Sequence, residues 1–317
     1  MTARRVGSAR SLRALGLLTA AACAVMACAV MACAVVQAPP PREDGAAARA
    51  TGPRVLLVGD SWTGFLWNHR SLRNVFRAQG RPDVFERGGP TTRGGTTAAD
   101  WASALGRETI ETALRAEPSI EVVQLTIGGN DFLAGPAHGG WFAGIDDAER
   151  DARFGRIASN VAAVVDHVHG RAPHRWVVVS LYDHLNFVES LSESFAACAA
   201  MYASLRQPTP RQINDALVRL EETIADAVAT RPRTIVVRHS GTMQDAFGFP
   251  DDPDLPSPIA AMFKQEDCIH LSREGYDAIA RNLWRDAYAF LYEERVFFDS
   301  FETADVARWT PSADAGD

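Results

Sequence analysis

Apolar residues along this chain follow two rhythms. Short unbroken runs such as Val55–Val58, Val177–Val179 and Ile235–Val237 are separated by longer stretches in which apolar positions recur every three or four residues. Phe65, Leu72, Val75 and Phe76 mark one such stretch, and Ile279, Leu283, Trp284, Phe290 and Leu291 another. Continuous apolar runs are what strands show when both faces of a parallel sheet are covered, and a spacing of three to four is one face of a helix. The pattern predicts strands over 54–59, 83–87, 119–127, 175–182 and 234–239. It predicts helices over 65–79, 98–117, 147–169, 210–230 and 273–292. Strands alternating with helices imply an α/β fold, a doubly wound sheet with helices on both sides. Two stretches break the rhythm, 184–209 and 241–262, the second carrying Pro250, Pro253, Pro256 and Pro258. Both follow strands, so both are expected to shape whatever pocket forms at the strands' carboxyl ends.

The amino end follows neither rhythm. Arg4, Arg5, Arg10 and Arg13 precede an apolar stretch from Ala14 to about Val36. A basic start, an apolar centre and small residues read as a secretory signal over 1–38. The stretch is also long enough to span a bilayer as an uncleaved anchor. Cys23, Cys28 and Cys33 each follow an alanine, which leaves lipidation open as well. A linker over 39–53, a main domain over 54–292 and a C-terminal tail over 293–317 complete the division. The expected location is therefore secreted, periplasmic or at the cell envelope, with membrane attachment only through the N-terminal segment.

Charge and cysteine content narrow the partners. The chain has 32 Lys plus Arg against 39 Asp plus Glu, and losing the four arginines of 1–38 takes its formal net charge from −7 to −11. A nucleic-acid partner calls for a basic face, so none is expected. Outside the amino-terminal segment only Cys198 and Cys268 remain. Two cysteines in an exported chain suggest one disulfide, against the alternative of two buried thiols.

Candidate chemistry sits at strand ends. Gly59-Asp60-Ser61-Trp62 follows the first apolar run directly. A serine at a strand-to-helix turn is exposed where a helix N-terminus favours developing negative charge, although Asp and Ser are also ordinary helix caps. Asp267-Cys268-Ile269-His270 precedes the last helix, for which Ser272 is the expected cap. At this spacing the carboxylate reaches one imidazole nitrogen and leaves the other free to face Ser61, which makes a nucleophile, a base and its orienter. Gly128-Gly129-Asn130-Asp131 closes the third strand, and an amide there is a donor for an oxyanion. Gly94-Gly95-Thr96-Thr97 precedes a helix and offers a backbone N–H for the same purpose. The chain has no G-x-S-x-G elbow, phosphate loop or H-E-x-x-H zinc helix. His167 and His169, two apart on a helix, diverge and do not make a metal pair. The other histidines, His69, His138, His174, His184 and His239, read as surface or hydrogen-bonding residues, with His184 placed to line a pocket. Trp62, Phe65, Trp67, Trp141 and Phe142 are candidate pocket walls.

Taken in order, these blocks resemble the SGNH (GDSL-type) hydrolase family over roughly residues 54 to 292. Gly59-Asp60-Ser61 is similar to its first block, Gly94 with Thr96 and Thr97 to its second, Gly128-Gly129-Asn130-Asp131 to its third and Asp267-Cys268-Ile269-His270 to its fifth. Trp62 stands where the family often has Leu, and Gly95 beside Gly94 leaves the second block one residue of slack. The resemblance implies a three-layer α/β/α, five-stranded, flavodoxin-like sheet. It implies Ser61 as nucleophile, His270 as base and Asp267 as its orienter. It implies an oxyanion hole of the Ser61 N–H, the Gly94 N–H and the Asn130 amide. The expected activity is that of an exported serine esterase acting on a small-molecule, lipid or carbohydrate ester, with no cofactor and no metal. An acyltransferase with the same triad, or a non-catalytic envelope binding protein on the same fold, are the alternatives.

Overall fold

A computed structural model describes residues 52–192, 196–265 and 267–294. The signal or anchor segment, the linker before residue 52 and the tail beyond 294 lie outside the described residues. In chain order, β1 (Val55–Gly59) leads to α1 (Ser61–Asn68) and α2 (Ser71–Ala78). Next come β2 (Glu86–Arg87), α3 (Ala98–Ala102) and α4 (Ala104–Ala116). β3 (Val122–Thr126) precedes α5 (Gly129–Leu133) and the long α6 (Asp147–Arg171). β4 (Trp176–Ser180) precedes α7 (Phe187–Ser192), α8 (Ala196–Ser204) and α9 (Pro210–Val228). β5 (Thr234–Val237), α10 (Thr242–Ala246) and α11 (Arg273–Leu283) close the series.

All five strands are parallel, in the order β2-β1-β3-β4-β5. Every residue of β1 and β3 is buried, as their apolar composition requires. Of the two polar residues of β3, Gln124 and Thr126, Gln124 accepts from the Tyr288 hydroxyl at 2.7 Å. On one side α6 packs against α9, α3 and α4; elsewhere α2 packs against α1 and α11. Right-handed crossovers and a reversal of strand order put these two groups on opposite faces. This is the three-layer α/β/α arrangement. The chain leaves β1 for β2 on one side and later leaves β3 for β4 on the other. The carboxyl ends of β1 and β3 therefore flank the topological switch point, where sheets of this kind bind ligands.

Several expectations about individual elements change. The helix expected over 65–79 starts earlier, at Ser61, because Asp60 caps it by accepting from the Trp62 N–H at 2.9 Å. It then divides at Arg70, which has a left-handed φ of 57°. The helix expected over 98–117 divides at Ser103, whose side chain caps α4. The helix expected over 273–292 is α-helical only to Leu283 and continues as two π-helical turns, Trp284–Tyr288 and Phe290–Glu294. The strand at 83–87 shrinks to two residues at the sheet's edge. The stretch at 184–209 is not irregular, since it contains α7 and α8, and 241–262 contains α10.

Candidate active site

The serine-bearing turn is built on a glycine that admits no side chain. A Cβ on Gly59 would lie 2.2 Å from the Thr126 carbonyl oxygen and 2.4 Å from Thr63 Oγ1, so β1 and β3 close up at this point because the residue is Gly. The chain then turns into α1 with Ser61 as its first residue. Asp60 is buried beneath it. Its Oδ1 caps α1 and its Oδ2 accepts from the Tyr182 hydroxyl at 2.6 Å. Burial pushes its carboxyl up to about 6, against the lowering effect of the Tyr182 and Trp62 hydrogen bonds.

The base arrives from the far end of the chain. Asp267 Oδ1 accepts from the N–H groups of Ile269 (2.8 Å) and His270 (2.9 Å), which curls the turn around the carboxylate. Asp267 Oδ2 lies 2.7 Å from His270 Nδ1, and His270 Nε2 lies 2.7 Å from Ser61 Oγ. The structure therefore brings Ser61, His270 and Asp267, 209 residues apart at the extremes, into one hydrogen-bonded line. Burial raises the Asp267 carboxyl, but the hydrogen bond and charge of His270 and the two backbone N–H groups outweigh it and hold it below the ordinary value. It stays ionised beside the imidazole. Ser272 caps α11 immediately after the turn, accepting from the Gly275 N–H at 3.2 Å.

Asn130 stands across the switch point from Ser61, in α5. Its Nδ2 donates to the Thr96 carbonyl at 2.9 Å and approaches Asp60 Oδ2 at 3.5 Å. The neighbouring Asp131 accepts from the Ala98 N–H at 2.7 Å, at the start of α3. Asn130 and Asp131 thus pin the segment that follows Gly94. A Cβ on Gly129 would meet the Tyr182 ring at 2.7 Å, so glycine there lets Tyr182 reach Asp60. Gly94 itself lies in an exposed turn and is not among the residues lining the cleft, whereas Ser61, Asn130 and His270 are.

That cleft is small, about 20 Å³, and largely apolar: Trp62, Phe132, Leu133, Tyr182, Leu185, Leu217 and Ile269 form its walls. Of the five aromatic candidates only Trp62 lines it. Phe65 packs beside the His270 ring at 5.0 Å, Trp67 sits against Gly88, Trp141 stacks on Phe132 at 5.3 Å, and Phe142 lies under Arg206. His184 is buried yet outside the walls. His239 is not at the surface: fully buried, it lies 2.9 Å from Ser180 Oγ and 3.3 Å from Asn282 Oδ1, and burial lowers it to about 4. His167 faces Glu111 at 3.3 Å. Sequence reasoning missed Phe132, Leu133, Tyr182, Leu185 and Leu217 as walls, although Phe132 and Leu133 directly follow the Asn130-Asp131 block. Tyr182 and Leu185 follow β4 at its carboxyl end, which is the signal that would have found them; nothing marks Leu217 within the periodic face of α9.

Cys198 and Cys268 are joined by a disulfide. Among the described residues, the one group of potential ligands close enough to share a metal ion is Cys198, Asp267 and Cys268, and that bond occupies both its sulfurs.

The chain belongs to the GDSL-like Lipase/Acylhydrolase family, which it matches over residues 57–278. It is accordingly an SGNH-type serine hydrolase acting on ester bonds. No curated protein matches its sequence. Solved structures similar to it include a Streptococcus pneumonia protein named for platelet activating factor (14% identity, TM-score 0.49, covering 87% of this chain and 98% of that one). Others are a family 3 carbohydrate esterase from Talaromyces cellulolyticus (14%, TM-score 0.42, 76% and 98%) and one from Clostridium thermocellum (16%, TM-score 0.41, 75% and 97%).

Proposed function

We propose that this protein is an exported serine esterase that removes a short, acetyl-sized acyl group from its alcohol. Ser61 attacks the ester carbonyl while His270 Nε2 takes its proton and Asp267 stabilises the resulting imidazolium. The tetrahedral oxyanion is held by the Ser61 N–H and the Asn130 amide, both of which line the cleft, as the exposed Gly94 does not. The alcohol departs with the proton from His270, and water, activated by the same base, hydrolyses the acyl-serine. The observation that carries the reaction is the line Ser61–His270–Asp267 with both contacts at 2.7 Å.

The size of the recess supports the acyl preference. The recess beside Ser61 is narrow and walled mainly by the apolar side chains of Trp62, Phe132, Leu133, Leu185, Leu217 and Ile269, which favours a short acyl group. Export is supported by the basic-apolar amino end and by the disulfide, since such bonds persist mainly outside the reducing cytoplasm. The small ester is the proposed partner.

Turnover of p-nitrophenyl esters of graded chain length tests both parts. We expect Ser61→Ala to abolish turnover with its fold intact, and kcat/KM to fall at least about tenfold from acetate to octanoate, the direction expected when added methylenes have no apolar space. Full turnover by Ser61→Ala would remove the nucleophile, and a flat or rising series would remove the acetyl preference.

A further inference from the structure

The turn that carries Asp267 and His270 belongs to no helix or strand, yet its backbone is held at every step. Four successive carbonyls each accept a hydrogen bond from a different residue elsewhere in the chain. Ser190 Oγ donates to the Asp267 oxygen at 3.1 Å, the Asn186 N–H to that of Cys268 at 3.0 Å, Trp62 Nε1–H to that of Ile269 at 2.9 Å, and the Phe263 N–H to that of His270 at 2.9 Å. The Cys268 N–H also points at Cys198 Sγ, 3.0 Å away, beside the disulfide.

Two of these four donors and the disulfide come from one excursion, Asn186 to Cys198, whose described residues add no strand to the sheet. The excursion has its own footing. Asn186 Oδ1 accepts from the Glu189 N–H at 3.0 Å at the start of α7, and its Nδ2 donates to the Ser257 carbonyl at 2.6 Å. Asn186, Ser190, Cys198 and Cys268 are all buried. A short loop without such ties would sample many backbone conformations. An imidazole 2.7 Å from the nucleophile tolerates little of that, because a misplacement of about 1 Å costs on the order of a hundredfold in rate.

We propose that Ser190 and the Cys198–Cys268 bridge are positioning residues for the reaction: they touch no reacting atom and act by holding the Asp267–His270 turn on Ser61. This rests on the reading of Ser61 and His270 given above. It makes α7 and α8 part of the catalytic apparatus and makes the rate, beyond the stability, depend on an oxidised bridge.

The test compares the mature protein with Ser190→Ala, Cys198→Ser/Cys268→Ser and Ser61→Ala. Each is assayed on p-nitrophenyl acetate, and those that keep Ser61 also for the rate of its labelling by a fluorophosphonate, well below the melting temperature. Ser190→Ala should lower kcat about tenfold and the double cysteine variant about ten- to a hundredfold. KM should stay within about twofold and the labelling rate should fall in parallel. A role confined to stability would move the melting temperature and leave kcat and labelling unchanged in the folded protein; that result overturns the proposal. If the cysteine variant does not fold, Ser190→Ala decides alone. Ser61→Ala separates the two readings. Undiminished turnover there removes the nucleophile itself, whereas an inactive Ser61→Ala beside a fully active Ser190→Ala removes only the positioning role.

Discussion

The two halves of the triad are held by different kinds of structure. Ser61 is placed by the sheet: β1 pairs with β3 through Gly59 opposite Thr126, and the chain passes straight from that pairing into α1. His270 is placed by ties between segments far apart in sequence: a disulfide, a serine hydroxyl, an indole N–H and two backbone N–H groups. The first half is stiff because many parallel-sheet hydrogen bonds would have to break together to move it. The second is stiff only as long as each separate tie holds. The nucleophile should therefore withstand the loss of any one hydrogen bond around it better than the base does.

The largest expected effect comes from the carboxylate that orients the base. Asp267→Asn leaves one oxygen to accept from the Ile269 and His270 N–H groups but removes the charge that stabilises the imidazolium. A loss of about 10³–10⁴ in kcat is expected, read by steady-state kinetics. A loss under tenfold would mean that His270 is oriented by the ties to its backbone rather than by Asp267. Next is Asn130→Ala, which keeps the triad and removes one oxyanion donor. We expect a loss of about 10²–10³ in kcat with little change in KM. Because Asn130 Nδ2 also holds Thr96, a thermal melt of the same variant separates catalysis from the loss of that tie.

Gly59→Ala attacks the sheet-built half directly. Its Cβ would press on the backbone of β3 at 2.2 Å, and overpacking against main chain costs about 1–3 kcal/mol or more. The expected outcome is a lower melting temperature together with lost activity. A stable, active Gly59→Ala protein would contradict the rigidity assigned to this half.

The smallest effect concerns pH. Glu221, buried behind Tyr182 with its Oε2 accepting from Ser240 Oγ at 2.8 Å, is pushed up to about 8 by burial, and Asp183 to about 7 by burial. A raised carboxyl favours the fold when protonated. The penalty from Glu221 is complete above pH 8 and disappears as pH falls to the ordinary value of 4.5. His239 works in the opposite direction: lowered to about 4 from 6.5, it removes stability as pH falls across that interval. Melting temperature should therefore rise as pH is lowered from 8 towards the upper end of the His239 interval. Glu221→Gln should be more stable than the parent at pH 8 and should flatten the alkaline limb. An unchanged alkaline limb would show that Glu221 does not titrate there.

Local patterns reached far in this chain. The apolar runs at 55–58, 177–179 and 235–237 announced buried parallel strands, because covered strands leave no polar face. The caps at Asp60 and Ser272 were legible because capping depends on neighbouring residues. The boundaries were less legible. The division at Arg70 and the passage into π-helical turns after Leu283 follow from how α1, α2 and α11 pack on one another, which periodicity does not record. The same is true of α7 and α8, which are tied to Ser257, Asp267 and Cys268 through Asn186, Ser190 and Cys198, contacts that periodicity does not record.

The sequence by itself determined the kind of chemistry, since a Gly-Asp-Ser turn, a Gly-Asn-Asp turn and an Asp-x-x-His turn leave few other uses for their side chains. It also determined the sheet and its order of elements, which follow from short-range rules of pattern and handedness. Only the tertiary structure decided which aromatic walls the cleft, that Gly94 stands in an exposed turn away from those walls, and that the base is held through Ser190, Trp62 and Cys198. Those outcomes depend on contacts across as many as 207 residues. The free energy of such contacts comes from burial and hydrogen bonding between segments that carry no mark of one another in the linear chain.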